Sequence, residues 1–182
     1  ILWGLFLGLS ATAIPLAFAI GLTPLLFFLG TGKYSLTVIF QSIVSVNESF
    51  TLLALPFFVL AGELMAAGGM GKRITNFAFA LVGWIPGGLA LMTVLTSMIF
   101  AGMSGSAAAD AAAVGSVMIP AMAKKGYDRP YAAAVVASAG TIGVIIPPSI
   151  PMVLYAFVSG VSLGDLFVAG AIPGILVGLA LM

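Results

Sequence analysis

Charge is rare along this chain, and its spacing marks out the segments. The eleven charged residues are Lys33, Glu48, Glu63, Lys72, Arg73, Asp110, Lys124, Lys125, Asp128, Arg129 and Asp165. Residues 1–32 carry none but contain Pro15 and Pro24. About 20 apolar residues cross a bilayer core, so this stretch predicts one long span, kinked at a proline. Residues 34–47 form a short, weakly polar second candidate span, and 50–66 form a third, with Pro56 inside it and Glu63 near its end. After the break at Gly68 and Gly69, the positions Ile74, Phe77, Ala78, Leu81 and Ile85 recur at helical spacing, away from Lys72, Arg73 and Asn76. That pattern predicts an amphipathic helix lying along the interface; the alternative is that it only begins the next span.

From Gly87 to Ala123 the chain is apolar again, then polar from Lys124 to Pro130, then apolar to Asp165 and on through 166–182. Lys and Arg favour the cytoplasmic side. If 34–47 spans and 87–123 enters and leaves on one side, all six basic residues share a face, with Glu48 and Asp165 opposite and the N-terminus outside. This topology weakens if 34–47 only lies on the surface.

Composition sharpens the class. Of 182 residues, 62% are hydrophobic and 6% charged, with no His and no Cys. Soluble domains carry roughly 25% charged residues, so the predicted class is an all-α polytopic membrane protein. A soluble enzyme, a nucleic-acid binder (net charge +1) and a disulfide-stapled module are excluded. So is His- or Cys-based metal or nucleophile chemistry. Ile1 and Met182 lie inside apolar runs, and the chain is expected to be part of a longer protein.

Two segments demand irregular backbone. Thirteen of the sixteen residues 101–116 are Gly, Ala or Ser. They lie midway between the two basic clusters, where a returning chain must turn. A turn that is small, uncharged and glycine-rich suits a re-entrant hairpin whose tip is buried in protein or lines a water-filled cavity. Ser104 or Ser106 would cap the helix that follows, with Asp110 in its second turn. A helix N-terminus there can meet an anion, and the carbonyls before it a cation. The competing reading is close packing of helices through small residues.

The second segment runs from Ser138 to Pro151. Pro130 starts a helix whose residues 131–140 cover about 15 Å, half a bilayer. Gly140, Gly143, Pro147, Pro148 and Pro151 then oppose a continuous helix. An unwound helix would free carbonyls that, with the hydroxyls of Ser138, Thr141 and Ser149, are hard oxygen ligands for Na⁺. A proline kink without ligands is the alternative. A hairpin tip followed by a broken helix is one half of an inverted-repeat transporter site.

These residues carry a resemblance. The runs LALPFFVLAGELM at 53–65, GGM at 68–70, GGLA at 87–90, SGSAAAD at 104–110, Gly126-Tyr127, IIPPSIP at 145–151 and AGAIPG at 169–174 resemble, in order and spacing, the large DctM-like membrane subunit of TRAP (tripartite ATP-independent periplasmic) transporters. The likeness covers nearly the whole chain and would make it the subunit's first half.

The resemblance implies Na⁺-coupled uptake of an organic anion, such as a C4-dicarboxylate, another carboxylate or sialic acid, across a bacterial or archaeal inner membrane. It implies a periplasmic binding protein and a small DctQ-like membrane subunit as partners, no organic cofactor, and an elevator mechanism. Residues 1–66 would be scaffold and 67–86 a connecting arm. Residues 87–182 would be the first half of a transport domain, comprising a re-entrant hairpin (87–123), a broken helix (130–160) and a following span (166–182). Na⁺ would be held by Ser104, Gly105, Ser106, Ser138, Gly140, Thr141 and Pro147, largely through carbonyls. Substrate would meet Ser104, Gly105, Ser106, Pro148 and Ser149, and Asp110 would bind an ion indirectly or fix the hairpin.

Rival functions are weaker. Gly102-Met103-Ser104-Gly105 matches an intramembrane serine-protease pattern, but that chemistry needs a base such as His, and the lysines fall in predicted loops. A binding-protein-independent dicarboxylate or arsenite permease is a nearer rival, and a purely structural helical subunit a third. The phosphate-binding Gly-x₄-Gly-Lys-Ser/Thr motif is absent, so coupling must come from an ion gradient or a partner.

Overall fold

The computed structural model describes residues 1–32 and 35–182, and every regular element in them is helical. The side of the membrane expected for Lys33 therefore lies outside the described residues. The chain forms two compact units, Ile1–Ser49 and Phe50–Met182.

In the first unit, α1 (Leu2–Ala11) and α2 (Leu16–Thr31) pack against each other, and α3 (Leu36–Asn47) packs on α2. The single kinked span expected over 1–32 is thus two helices. The chain turns at Thr12 and Ala13, where Ala13 adopts φ +59, and Pro15 caps α2. Pro24 lies inside α2, where the helix continues through it. The turn is at the first proline because Pro15 disfavours helical geometry in the residue before it.

The second unit contains α4 (Phe50–Ala67), α5 (Met70–Val82), α6 (Gly88–Ser104), α7 (Ala107–Lys124), α8 (Arg129–Gly140), a 3₁₀ turn (Thr141–Val144), α9 (Ile150–Ser159) and α10 (Leu163–Ala180). The core joins α5 to the α6–α7 pair and α8 through Ile74, Ala78, Met92, Phe100, Val114, Met118 and Val136. In α5 only one edge of the expected apolar stripe is used. Ile74 and Ala78 are buried, whereas Phe77 and Leu81 are 56% and 48% exposed. Gly71 packs on the Phe100 ring and Val82 beside Gly88, so α5 runs antiparallel along α6.

α10 packs through its small residues and leaves its large apolar ones outside. It is 18 residues long, with mean hydropathy 1.9, long and apolar enough to cross a membrane. It buries Gly170, Gly174 and Gly178 and exposes Val168, Ile172, Leu176 and Leu179. Water would reverse that arrangement. In a bilayer there is no hydrophobic gain from burying leucine, and glycines allow the close approach from which dispersion attraction comes.

Candidate functional site

The glycine- and serine-rich stretch closes a tight helical hairpin. α6 ends at Ser104, Gly105 takes the left-handed conformation (φ +63), and extended Ser106 caps α7 by accepting the Ala109 amide at 3.4 Å. Ser104 ties the tip together. Its hydroxyl donates to Asp110 Oδ1 and accepts the Ser106 amide at 3.1 Å. Asp110 lies in the first turn of α7 rather than the expected second, because the helix starts directly after Ser106, and there the helix dipole favours a carboxylate; it is completely buried. Its Oδ2 has no hydrogen-bond partner among the described residues.

The second irregular segment lies directly against this tip. α8 stops at Gly140, the 3₁₀ turn follows, and an irregular stretch containing a cis Pro147–Pro148 bond leads to Ser149, which caps α9. The Ile150 amide donates to the Gly105 carbonyl at 3.1 Å. A Cβ on Gly105 would lie 2.6 Å from the Pro148 carbonyl oxygen, so this contact as well as φ requires glycine. Buried Ser149 donates to the Val144 carbonyl at 2.8 Å, spanning the irregular stretch. Gly140 rests on Ala107 and Ala111, and Gly143 on Ala107 and on Asp110 Oδ2.

Of the residues expected to form a site, Ser104, Gly105, Ser106, Asp110, Gly140, Pro147, Pro148 and Ser149 therefore lie on or beside the joined tip and break. Ser138 and Thr141 lie on an exposed side. Their hydroxyls donate to the Ala134 carbonyl (2.8 Å) and the Ser138 carbonyl (2.6 Å), within their own turns.

A cavity of about 330 Å³ opens beside the tip, lined by Ser104, Ser106, Ala109, Phe100 and Ile150 and, across it, by Val59, Gly62 and Glu63 of α4. Gly62 makes the close approach; its Cβ would sit 3.4 Å from the Met103 carbonyl oxygen. Gly62, Glu63, Gly143 and Ile150 were not among the expected site residues. Glu63 could have been marked as an acid within an apolar run, and Gly143 by its spacing of three from Gly140, which puts both on one helical face.

Chemically, the arrangement offers oxygen ligands only. Among the described residues no three His, Cys, Asp or Glu cluster as metal ligands. The unpartnered Asp110 Oδ2 and the carbonyls of unwound backbone are hard oxygen donors gathered at the joined tip and break.

The family model described as "Tripartite ATP-independent periplasmic transporter, DctM component" matches residues 3–182. The chain is 44% identical over its full length to the C4-dicarboxylate TRAP transporter large permease protein DctM of Vibrio cholerae, covering 40% of that protein. It is 43% identical over its full length to the isethionate TRAP transporter permease protein DctMQ of Oleidesulfovibrio alaskensis, covering 29% of it. Over 98% of its length it is 44% identical to the 2,3-diketo-L-gulonate TRAP transporter large permease protein YiaN of Escherichia coli, covering 42% of it. The chain thus spans less than half the length of each of these relatives.

Proposed function

The chain belongs to the DctM component family of tripartite ATP-independent periplasmic transporters, a family of transporter subunits rather than enzymes, and we propose that it supplies one half of a Na⁺-coupled uptake path for a small organic anion across an inner membrane. The observation that carries this reading is the joined tip and break: Gly105 seated on Pro148 and bonded to Ile150, with Asp110 buried beneath and one of its oxygens unpartnered. The relatives' names specify a C4-dicarboxylate, isethionate and 2,3-diketo-L-gulonate. What these share is small size and an acidic group, which supports a small organic anion as the substrate class.

In this reading Na⁺ is held by carbonyls at 104–106 and around Gly140 and Pro147, with the free oxygen of Asp110. The bound cation and the N-terminus of α7 then favour the anion in the cavity lined by Ser104 and Ser106. Ser138 and Thr141 contribute through backbone if at all, since their hydroxyls already donate locally. Coupling follows because an empty carboxylate and uncompensated carbonyls bind the anion poorly, so each solute needs the other. A periplasmic binding protein delivers the substrate and a small DctQ-like subunit completes the assembly. The hairpin is re-entrant and belongs to an inverted-repeat transport domain that moves as an elevator.

The test uses the absence of cysteine. Ser104→Cys, in a permease otherwise free of cysteine, is labelled with a membrane-impermeant thiol reagent with and without Na⁺. Labelling slowed by Na⁺ is the expected result. Fast labelling indifferent to Na⁺ and confined to the outside would make 102–106 an ordinary external loop and remove the site. Uptake into vesicles that does not require a binding protein would instead favour a stand-alone permease.

A further inference from the structure

A second, smaller cavity of about 210 Å³ lies between the start of α5 and the hairpin, lined by Gly71, Lys72, Thr75, Thr96, Ser116 and Val117, with Phe100 also in its wall. Three observations give it a ligand chemistry. First, the N-terminus of α5 is bare. Gly69 supplies no side-chain cap, and no acid lies in the first turn. The opening amides of a helix have no carbonyl partner within it.

Second, that same turn carries Lys72 and Arg73. Two cations at the positive end of a helix dipole repel it, unless an anion sits among them. Third, Thr96 lines the same cavity at 1% exposure with a hydroxyl that has no partner among the described residues. Thr75 and Ser116 spend their protons on the carbonyls of Gly71 (2.9 Å) and Ala113 (2.8 Å), so Thr96 is the buried hydroxyl here with its proton uncommitted.

We propose that this cavity is a binding site for the phosphate of an anionic phospholipid, held by Lys72, the opening amides of α5 and the Thr96 hydroxyl. The volume is below the roughly 300–1,000 Å³ of pockets that enclose a whole small molecule, so the cavity takes a head group rather than a complete solute. At its opening the exposed lining residues are Lys72, Ser116 and Val117. Val117 is 50% exposed, and farther along α5 Phe77 and Leu81 are exposed apolar side chains that acyl chains could cover. Basic residues on an amphipathic helix are the usual partners of anionic head groups. The cavity shares the Phe100 and Ala113 wall with the one beside the tip but is lined by neither Ser104, Ser106 nor Asp110, and its ligand does not depend on Na⁺ coupling.

Purified permease in detergent is titrated with phosphatidylglycerol or phosphatidylcholine, and bound lipid is counted by native mass spectrometry. The expected result is about tenfold tighter retention of phosphatidylglycerol. Lys72→Gln and the shape-conserving Thr96→Val should each remove that preference, and Lys72→Arg should keep it. An excess of inorganic phosphate should leave the lipid bound. Equal retention of both lipids, or an undiminished preference in both Lys72→Gln and Thr96→Val, overturns the site. Displacement by inorganic phosphate overturns the lipid assignment in favour of a soluble anion.

Discussion

Asp110 touches both the hairpin tip, through Ser104, and the broken helix, at Gly143, and its two oxygens have different surroundings. Oδ1 is satisfied by Ser104, whereas Oδ2 faces Gly143 without a donor. Gly143→Ala should therefore fail. The new methyl would meet Oδ2 and, at 3.2 and 3.3 Å, the amide nitrogen and Cα of Ala107, which are backbone and cannot yield. Overpacking of this kind costs about 1–3 kcal/mol, read as a lower melting temperature together with lost uptake. Gly102→Ala is the matched control, because its Cβ meets nothing nearer than the Pro147 carbonyl oxygen at 3.8 Å, and both readouts should stay near wild type. Asp110→Asn separates charge from shape. The amide oxygen can still accept from Ser104, so melting should change little. Loss of the carboxylate should raise the Na⁺ concentration for half-maximal uptake at least about tenfold. An unchanged Na⁺ dependence would assign Asp110 to fixing the tip alone.

Among the elements, α10 gives an ordered series. A methyl on Gly170 would lie 2.8 Å from the Ile145 carbonyl oxygen, a backbone atom beside the break. One on Gly174 would meet Ile146, through Cγ1 at 2.5 Å and its amide nitrogen at 3.3 Å, and one on Gly178 would meet only the flexible Met98 side chain. Alanine also gains up to about 1 kcal/mol of helix propensity over glycine. Thermal melts in detergent should then rank Gly170→Ala as clearly destabilising, Gly174→Ala as intermediate and Gly178→Ala as near neutral. A flat series would mean that α10 is held by something other than these close approaches.

The same scale shows what the sequence made legible. The hairpin turn at Gly105 and the interruption after Gly140 could be read because glycine, proline and a capping serine act within a few residues. The turn at Thr12 and Ala13 could not be, since no charge interrupts 1–32 and a left-handed alanine carries no signal of its own. Nor could the buried edge of α5. The apolar stripe is wide enough to hold both the 74/78 row and the 77/81 row, and only the neighbouring α6 selects the first.

For the whole molecule, the decisive relation is between α4 and the hairpin tip, which meet at Gly62 and Met103, 41 positions apart in sequence. No local pattern announces a contact of that range; it depends on how the helices of the second unit pack. Val59 and Ala109 face the shared cavity from its two sides. If the hairpin moves past α4 during transport, the separation of these positions must differ between the two ends of the cycle. If the hairpin is a static part of the wall, it cannot. Val59→Cys combined with Ala109→Cys, in a cysteine-free permease and away from the oxygens assigned to Na⁺, reports this through the rate of cross-linking by a short bismaleimide. Na⁺ and substrate together should change that rate several-fold, while each single cysteine reacts with a monofunctional maleimide at a rate that changes less. A cross-linking rate that ignores Na⁺ and substrate in a permease still active for uptake would show that α4 and the tip remain together through the cycle. The moving boundary would then have to lie elsewhere than at Gly62.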